Sequence, residues 1–379
     1  MIHRHRVASP LLALLLLAIG AVQFATAADT PTKHYVCSPC GLPCDDLVFD
    51  QPGTCPKCGM PLVDQAAARA AAQPQKKVAI LIFDGVEIID YTGPWEVFGA
   101  ANFDVFTVAE KRVPVTTAMG MTVLPKHTFA DSPQPDVLVV PGGGVKAASG
   151  SAPTLKWVKE TAARAEQTMS VCNGAFILAS AGLLDGLSAT TTSGNIARLK
   201  TEYPGIKVVD DQRFVDNGRI ITTAGLTAGI DGALHVLSKM LGHGLAQRVA
   251  LAEEYDWRPR SGFARAALAD RLIPDVDMDA IGKWTVVNTE GGRDRWEMEI
   301  QGTSDRSAAE VLEYVGREFT TKGKWTSAKA GALPSSSTPT SRWSLSGRDG
   351  KPLVATLTIQ AIPEGSHQYT VKLTIAPAG

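Results

Sequence analysis

The sequence predicts a doubly wound α/β domain with a parallel sheet, preceded by a small cysteine-rich ribbon and followed by a small α+β domain. Three observations support this. Apolar strand-like runs such as VAILIF (78–83) and DVLVV (136–140) alternate with helical segments. Five of the six cysteines lie between positions 37 and 58. After residue 283 the pattern changes to short alternating strands around a single helix. A chain of 379 residues is also long enough for two or three domains.

Residues 1–27 have the pattern of a secretory signal peptide. A basic opening, HRHR at 3–6, is followed by the apolar run LLALLLLAIGAV and by small residues that suit cleavage after Ala27. The alternative, an uncleaved membrane anchor, would need roughly 20 apolar residues, and this run is shorter. We therefore expect a periplasmic or secreted protein with no membrane association after cleavage.

The charge of the chain gives no reason to propose a polyanionic partner. The formal net charge is −1, with acidic and basic residues interspersed. A nucleic-acid-binding protein would be expected to carry a basic patch or stripe, so we expect no nucleic-acid partner.

The segment 33–63 contains two C-x-x-C pairs, Cys37 with Cys40 and Cys55 with Cys58, separated by 14 residues. This spacing is close to that of zinc ribbons, and four thiolates suit a soft or borderline ion such as Zn²⁺ or Cu⁺. So short a segment cannot bury a core of its own, so a metal or a crosslink must hold it folded.

The alternative for this segment is a disulfide knot, which an oxidising compartment permits. An odd number of cysteines and the small loops that adjacent pairs would close favour metal. Cys44 is left as a spare ligand or a reactive thiol, and His34 and Met60 are alternative soft ligands. The segment resembles the short heavy-metal-binding ribbons fused to bacterial efflux and periplasmic proteins, best in its second half, PGTCPKCGMPLV.

Residues 64–76 are rich in Ala, Gln and Lys and are interpreted as a linker with some helix. The α/β domain is predicted over 77–258, because its strands are continuous apolar runs of the kind buried on both faces of a parallel sheet. The predicted elements after VAILIF are a helix through PWEVFGAA, the strand FDVFTVA, the hairpin VTTAMGMTVLP, DVLVV, a helix opened by Ser151 and Pro153, TMSVC, an apolar helix at 174–184, ATTTS, a helix near 195–203, IKVVDD, RIITTAG and a helix at 227–241.

Ligands of doubly wound sheets bind at the carboxyl ends of the strands. Three stretches fall there, namely Asp90, the glycines 142–144 and Cys172. A thiol at a strand-to-helix turn points out over the sheet edge, and the helix N–H groups behind it favour thiolate and can bind an oxyanion. The alternative is an inert buried cysteine, but the facing glycine loop and carboxylate favour a reactive one.

Four motifs in order carry a family resemblance: VAILIFDGVEIIDYTGPWEVFGAA, DVLVVPGGG, SVCNGAFILASAGLLDG and TTAGLTAGIDGALHVL. They resemble the ThiJ/PfpI superfamily, which has a glutamine-amidotransferase-like, flavodoxin-like fold, and within it the branch of isonitrile hydratases and AraC-type regulators. The resemblance implies that Cys172 is the nucleophile, Asp90 its acidic partner, and the N–H groups of Gly143 and Asn173 the oxyanion donors. It implies no cofactor at Cys172, and a homodimer is compatible with it.

Two departures from the family bear on the chemistry. Many relatives carry a histidine where this chain has Thr192, and the hydratases have a threonine directly after the nucleophile where this chain has Asn173. Peptidase or amidase chemistry that needs a histidine is therefore disfavoured. A hydratase-like scheme remains, in which Cys172 adds to an electrophilic carbon, Asp90 carries the proton and water releases the product.

Residues 259–282 are interpreted as a second linker and 283–379 as a small α+β domain of unknown role. Ser307 and Glu310 form a predicted capping box for its helix, and Asp349-Gly350 marks a hairpin. An AraC-type regulator would have a basic helical DNA-binding domain here, so the strand-rich pattern argues against a transcription factor.

Two functions therefore stay open. One is an exported hydratase or lyase that uses Cys172 on a small-molecule electrophile. The other is a non-catalytic metal-binding or thiol-stress protein, in which the ribbon binds a metal ion and Cys172 is a thiol sensitive to oxidation.

Overall fold

The computed structural model describes residues 33–37, 43–72, 75–261, 263–328, 338–363 and 367–379. The predicted signal peptide and Cys40 lie outside the described residues. The chain divides into two compact units, one ending at Pro74 and the other beginning at Gln75. Among the described residues, no helix has the length and apolar character needed to cross a bilayer.

The first unit contains a three-stranded antiparallel sheet with β1 in the centre, in the order β2-β1-β3. Its elements are β1 (Tyr35–Cys37), β2 (Val48–Phe49), β3 (Leu62–Asp64) and α1 (Gln65–Ala72), with a 3-10 turn at Pro43–Asp46. The predicted linker thus begins as a helix. The apolar contacts of the unit centre on buried cysteines rather than on aliphatic side chains, as expected of a segment too short for an ordinary core.

The α/β domain is built on a seven-stranded sheet in the order β13-β14-β10-β9-β4-β5-β8. The strands of the domain are β4 (Lys77–Leu81), β5 (Asp104–Ala109), β6 (Val115–Thr116), β7 (Thr122–Val123), β8 (His127–Thr128), β9 (Val137–Val140), β10 (Gln167–Ser170), β11 (Ser188–Ala189), β12 (Lys207–Val208), β13 (Phe214–Asp216) and β14 (Ile220–Thr223). The helices are α2 (Ile88–Ala100), α3 (Lys146–Gly150), α4 (Ala152–Arg164), α5 (Ala175–Ser180), α6 (Ile196–Glu202), α7 (Ala228–Leu241) and α8 (His243–Ala252).

The predicted fold class is confirmed, since the central strands run parallel and each face of the sheet is covered by its own apolar core. Two details differ from a uniformly parallel sheet. β13 pairs antiparallel with β14 at one edge. The ATTTS and IKVVDD regions contribute β11 and β12 to a separate two-stranded sheet. The predicted cap of α4 is present, with the Ser151 side chain accepting from the Thr154 N–H.

The order of the sheet reverses between β4 and β9, because the chain moves from β4 to β5 on one side and later to β9 on the other. This is the topological switch point at which ligands bind in open α/β sheets. The segments after β4, β9 and β10 therefore meet at one edge.

The C-terminal domain is a six-stranded antiparallel sheet in the order β15-β16-β20-β19-β18-β17, with one helix packed on it. Its elements are β15 (Lys283–Gly291), β16 (Trp296–Thr303), α9 (Ala308–Thr321), β17 (Thr326–Ser327), β18 (Thr340–Ser346), β19 (Pro352–Ala361) and β20 (Gln368–Pro377). The capping box of Ser307 and Glu310 is present. The segment 259–282, expected as a linker, contributes Leu268, Ala269 and Ile281 to the core of this domain.

Candidate functional site at the switch point

Cys172 lies at a sharp elbow between β10 and a 3-10 turn at Cys172–Gly174. Its φ is +57°, a left-handed conformation that a residue with a Cβ seldom adopts. The elbow is held by hydrogen bonds from the Cys172 N–H to the Ala224 carbonyl and from the Val171 N–H to the Val140 carbonyl. A Cβ on Gly174 would lie 2.1 Å from the Val140 carbonyl oxygen, so the glycine permits the close approach of the turn to β9.

Asp90 lies in the first turn of α2 and is completely buried. Its two carboxylate oxygens accept hydrogen bonds from the N–H groups of Gly142, at 3.1 Å, and Leu226, at 3.0 Å. Burial raises the pKa of Asp90 to about 6, although these two N–H groups and the Cys172 side chain act in the opposite direction. The carboxyl group can therefore exchange a proton near neutral pH.

Burial raises the pKa of the Cys172 thiol to about 12, and the negative charge of the nearby Asp90 adds to the effect. The Asn173 N–H and the Thr192 hydroxyl favour the thiolate but do not outweigh burial. The N–H group of the turn thus acts in the direction expected from the sequence, but burial outweighs it, and the net pKa of the thiol is raised. At neutral pH the pair holds its proton on sulfur.

Thr192 occupies the place beside the sulfur. Its side chain lowers the pKa of the Cys172 thiol, and the Thr191 hydroxyl donates to the Cys172 carbonyl at 2.8 Å. A Cβ on Gly225 would lie 2.9 Å from the Thr192 hydroxyl oxygen and 3.4 Å from the sulfur, so this glycine leaves the space next to both groups open. From the sequence, Thr192 was notable only because many relatives have a histidine there. The fold is needed to show that the hydroxyl of Thr192 lies next to the thiol.

Asn173 clamps the glycine loop after β9. Its side-chain oxygen accepts from the Gly143 N–H at 2.7 Å, and its amide group donates to the Gly143 carbonyl at 2.8 Å. The Gly143 N–H, expected as an oxyanion donor, is thus already used within the protein. The Asn173 N–H lowers the pKa of the Cys172 thiol, so it is the backbone donor that acts on the reacting atom. A Cβ on Gly142 would lie 2.8 Å from that nitrogen, so the clamp depends on a glycine.

Two exposed apolar residues contact the first turn of α2. Leu226, whose N–H binds Asp90, has a φ of +58° and is 49% exposed. The hydroxyl of Tyr91, the residue after Asp90, donates to the sulfur of Met121, which is 47% exposed.

The first unit contains a second site. The sulfur atoms of Cys37, Cys44, Cys55 and Cys58 lie within 4.8 Å of one another and could hold a metal ion. The sulfurs of Cys37 and Cys58 are 3.1 Å apart. Cys44, expected as a spare ligand or a reactive thiol, is thus a member of the cluster, while Cys40 lies outside the described residues.

The chemistry of this thiol cluster suits a soft or borderline ion. A hydrogen bond from the Met60 N–H lowers the pKa of the Cys58 thiol to about 6, and the thiol of Cys37 makes the second largest contribution. Cys58 is therefore close to the thiolate form that binds a metal ion. His34 is not part of the cluster and contacts Asp50 instead at 3.2 Å. The adjacent Met60 is 40% exposed.

Comparisons with known proteins concern the α/β domain. Residues 76–239 match the model of the DJ-1/PfpI family. Isonitrile hydratase of Pseudomonas putida is 39% identical over 181 residues, which are 47% of this chain and 78% of that protein. An uncharacterized protein in the cpoL 5′ region of Streptomyces lividans is 38% identical over 134 residues, 34% of this chain and 95% of that protein.

Among solved structures, a ThiJ/PfpI family protein from Pseudomonas syringae has 33% sequence identity and a TM-score of 0.46, with 50% of this chain and 78% of that one covered. The residues that match the family model, 76–239, include β4, the glycine loop and the cysteine elbow. The chain belongs to the DJ-1/PfpI family.

Proposed function

We propose that this protein is a cysteine-dependent hydratase that adds water to a small electrophile, with an isocyanide as the substrate class. The observation that carries the proposal is the buried pair of Cys172 and Asp90, with one proton between them at neutral pH. The 39% identity to an isonitrile hydratase supports the choice of substrate class.

The reaction follows from the protonation states of the pair. The Asp90 carboxylate accepts the thiol proton as the sulfur of Cys172 bonds to the terminal carbon of the isocyanide, and it returns that proton to the same carbon. The product of this step is a thioimidate, in which the carbon carries hydrogen, sulfur and a doubly bonded nitrogen.

Water then adds to the thioimidate carbon, and one of its protons moves to the nitrogen. The carbon–sulfur bond breaks, the second proton of the water returns to the sulfur, and an N-substituted formamide leaves. The hydroxyl of Thr192 and the N–H of Asn173 act on the sulfur, so they can orient the water and stabilise the developing negative charge. Neither step needs a histidine.

The test is turnover of an alkyl isocyanide, followed by the appearance of the formamide. We expect Cys172→Ser to abolish turnover because the alcohol is a far weaker nucleophile. Asp90→Asn should also abolish it because an amide cannot carry the proton. Cys58→Ser is the matched control, since it removes a thiol of the other unit. A wild-type protein that leaves the isocyanide unchanged, or a Cys172→Ser variant that still turns it over, would contradict the proposal.

A second candidate function is metal binding by the ribbon, and the cluster of four thiols favours it. We propose that it binds Zn²⁺ or Cu⁺ and that the ion holds the first unit folded. Metal analysis of the purified protein should give about one ion per chain. Changing both Cys55 and Cys58 to Ser should remove the ion, and a protein that keeps its metal after this change would exclude the cluster as the site.

We also propose that the protein is exported and functions in the periplasm or outside the cell, as the pattern of residues 1–27 indicates. N-terminal sequencing of protein from the periplasmic fraction should begin at or near Ala28. Protein that keeps its first residues and remains in the cytosol would contradict export.

A further inference from the structure

The C-terminal domain contains a cavity of about 500 Å³ that the function proposed above does not use. It lies between α9 and one face of the sheet, and the segment 270–278 forms its third side. The residues that line it are Asp270, Arg271, Ile273, Pro274, Asp275, Val276, Met278, Met298, Ile300, Val315, Phe319, Leu357, Val371 and Leu373.

The walls of the cavity are apolar and regular. Met298 pairs across the sheet with Leu373, which in turn pairs with Leu357, so one row of side chains crosses three strands. Val315 and Phe319 face this row from α9. These walls belong to the core of the domain.

Three charged residues line the cavity, namely Asp270, Arg271 and Asp275. The carboxylate of Asp270 receives both arms of the Arg265 guanidinium, at 2.7 and 2.6 Å. Lys322 donates to the backbone carbonyl oxygen of Asp275 at 3.2 Å and forms its ion pair with Glu318. The side chain of Arg271 is exposed and makes no hydrogen bond or ion pair with any described residue.

Protein interiors are close-packed. The side chains that line an unfilled apolar cavity lose dispersion contacts on the side that faces it. A domain of about 100 residues has little stability to spare for such a space. The volume falls within the range of small-molecule sites, roughly 300–1,000 Å³, which typically combine apolar walls with a few polar groups.

We propose that this cavity binds a long-chain carboxylic acid, with the apolar chain between α9 and the sheet and the carboxylate at Arg271. The chain would fill the row of Met298, Leu373 and Leu357, and the guanidinium would pair with the acid. The C-terminal domain is then a ligand-binding domain attached to the α/β domain.

The probe is a fluorescent polyene fatty acid, titrated into the full-length protein. We expect saturable binding. Met298→Trp should weaken it at least about tenfold by filling the cavity, and should raise the melting temperature because it replaces empty space with side chain. Glu299→Trp is the matched control, since the next residue of a strand points to the opposite face.

The position of the carboxylate is tested with a second pair of measurements. Arg271→Gln should weaken binding of the acid to the level of the corresponding long-chain alcohol and leave binding of the alcohol unchanged. The inference is overturned if the probe does not bind saturably, or if Met298→Trp folds with an unchanged or higher melting temperature and still binds as wild type. It is also overturned if Arg271→Gln affects acid and alcohol equally.

Discussion

At the scale of single residues, the protein places an acid and a thiol in a site where neither has its ordinary proton affinity. Burial raises the pKa of Asp90 to about 6 and that of Cys172 to about 12. The pKa values of the two groups therefore differ widely, and in the range from about pH 7 to 10 the carboxylate is ionised and the thiol is protonated. Such a pair is suited to a base that takes the nucleophile's proton during attack.

The pH dependence of isocyanide turnover follows from these values. Activity should fall as pH is lowered through about 6, because Asp90 becomes protonated and can no longer accept the thiol proton. No loss on the alkaline side is expected below about pH 10, since the thiol keeps its proton there. The measurement is kcat/KM from pH 5 to 9, and a profile independent of pH across 6 would contradict the role of Asp90.

Direct alkylation of Cys172 should be slow at pH 7 and should accelerate about tenfold for each pH unit above it, because only the thiolate reacts. The rate is measured by iodoacetamide labelling and mass analysis of the peptide that contains Cys172, which separates it from the ribbon thiols. Rapid labelling at pH 7 would show that the proton lies on Asp90 instead.

The raised pKa of Asp90 also makes stability depend on pH. Its folded-state pKa, about 6, lies above the ordinary value of 3.8, so the folded protein holds this proton more tightly than the unfolded chain. The contribution of this proton to the free energy of unfolding, up to roughly 3 kcal/mol, is fully present below about pH 4 and is lost as pH rises through about 6.

Asp90→Asn removes this ionisation. The free energy of unfolding of the variant, relative to wild type, should therefore increase between pH 4 and pH 7 by up to roughly 3 kcal/mol. Denaturant titrations at the two pH values measure the change. A constant difference between the two proteins would show that Asp90 is not destabilised by ionisation.

At the scale of elements, the site depends on how closely two backbone segments approach. β9 ends in a glycine loop and β10 in the elbow, and the side chain of Asn173 joins them with two hydrogen bonds. Gly174 has a φ of −56°, which alanine also adopts, so its requirement is purely one of space.

Gly174→Ala should therefore destabilise the protein by about 2–4 kcal/mol, because the added Cβ would meet the Val140 carbonyl at 2.1 Å. Gly150→Ala is the control, since a Cβ there has nothing within 4 Å and the change should be neutral or slightly stabilising. Urea denaturation of the two variants measures the difference. Equal stabilities would show that the turn can shift without cost.

At the scale of the whole molecule, the chain joins two chemically different sites in two compact units. One unit carries the thiol cluster, and the other carries the pair of Cys172 and Asp90. Removal of the proposed metal ion with a chelator should unfold the first unit, because its core consists largely of cysteines.

The same treatment should leave isocyanide turnover within about twofold of the untreated protein, since neither Cys172 nor Asp90 belongs to the cluster. Turnover and circular dichroism are measured on one sample before and after chelation. Loss of turnover in proportion to the metal removed would show that the two sites act together.

The amino-acid sequence by itself determined the fold class, the family and the positions of Cys172, Asp90 and the glycine loop. These features are local, since strand-like apolar runs and turn residues report on their own segments, and the sheet rule brings the strand ends together. The capping box at Ser307 was readable for the same reason.

Only the tertiary structure decided which groups modify that chemistry. Thr192 and the thiol are 20 positions apart in the sequence, and the hydroxyl reaches the sulfur because separate segments pack together. The direction of the shift in the Cys172 pKa depends on burial by the whole domain, which outweighs the local effect of the Asn173 N–H. Cys44 joined the thiol cluster, and the cavity beside Arg271 formed, through contacts between segments distant in sequence, which no local pattern records.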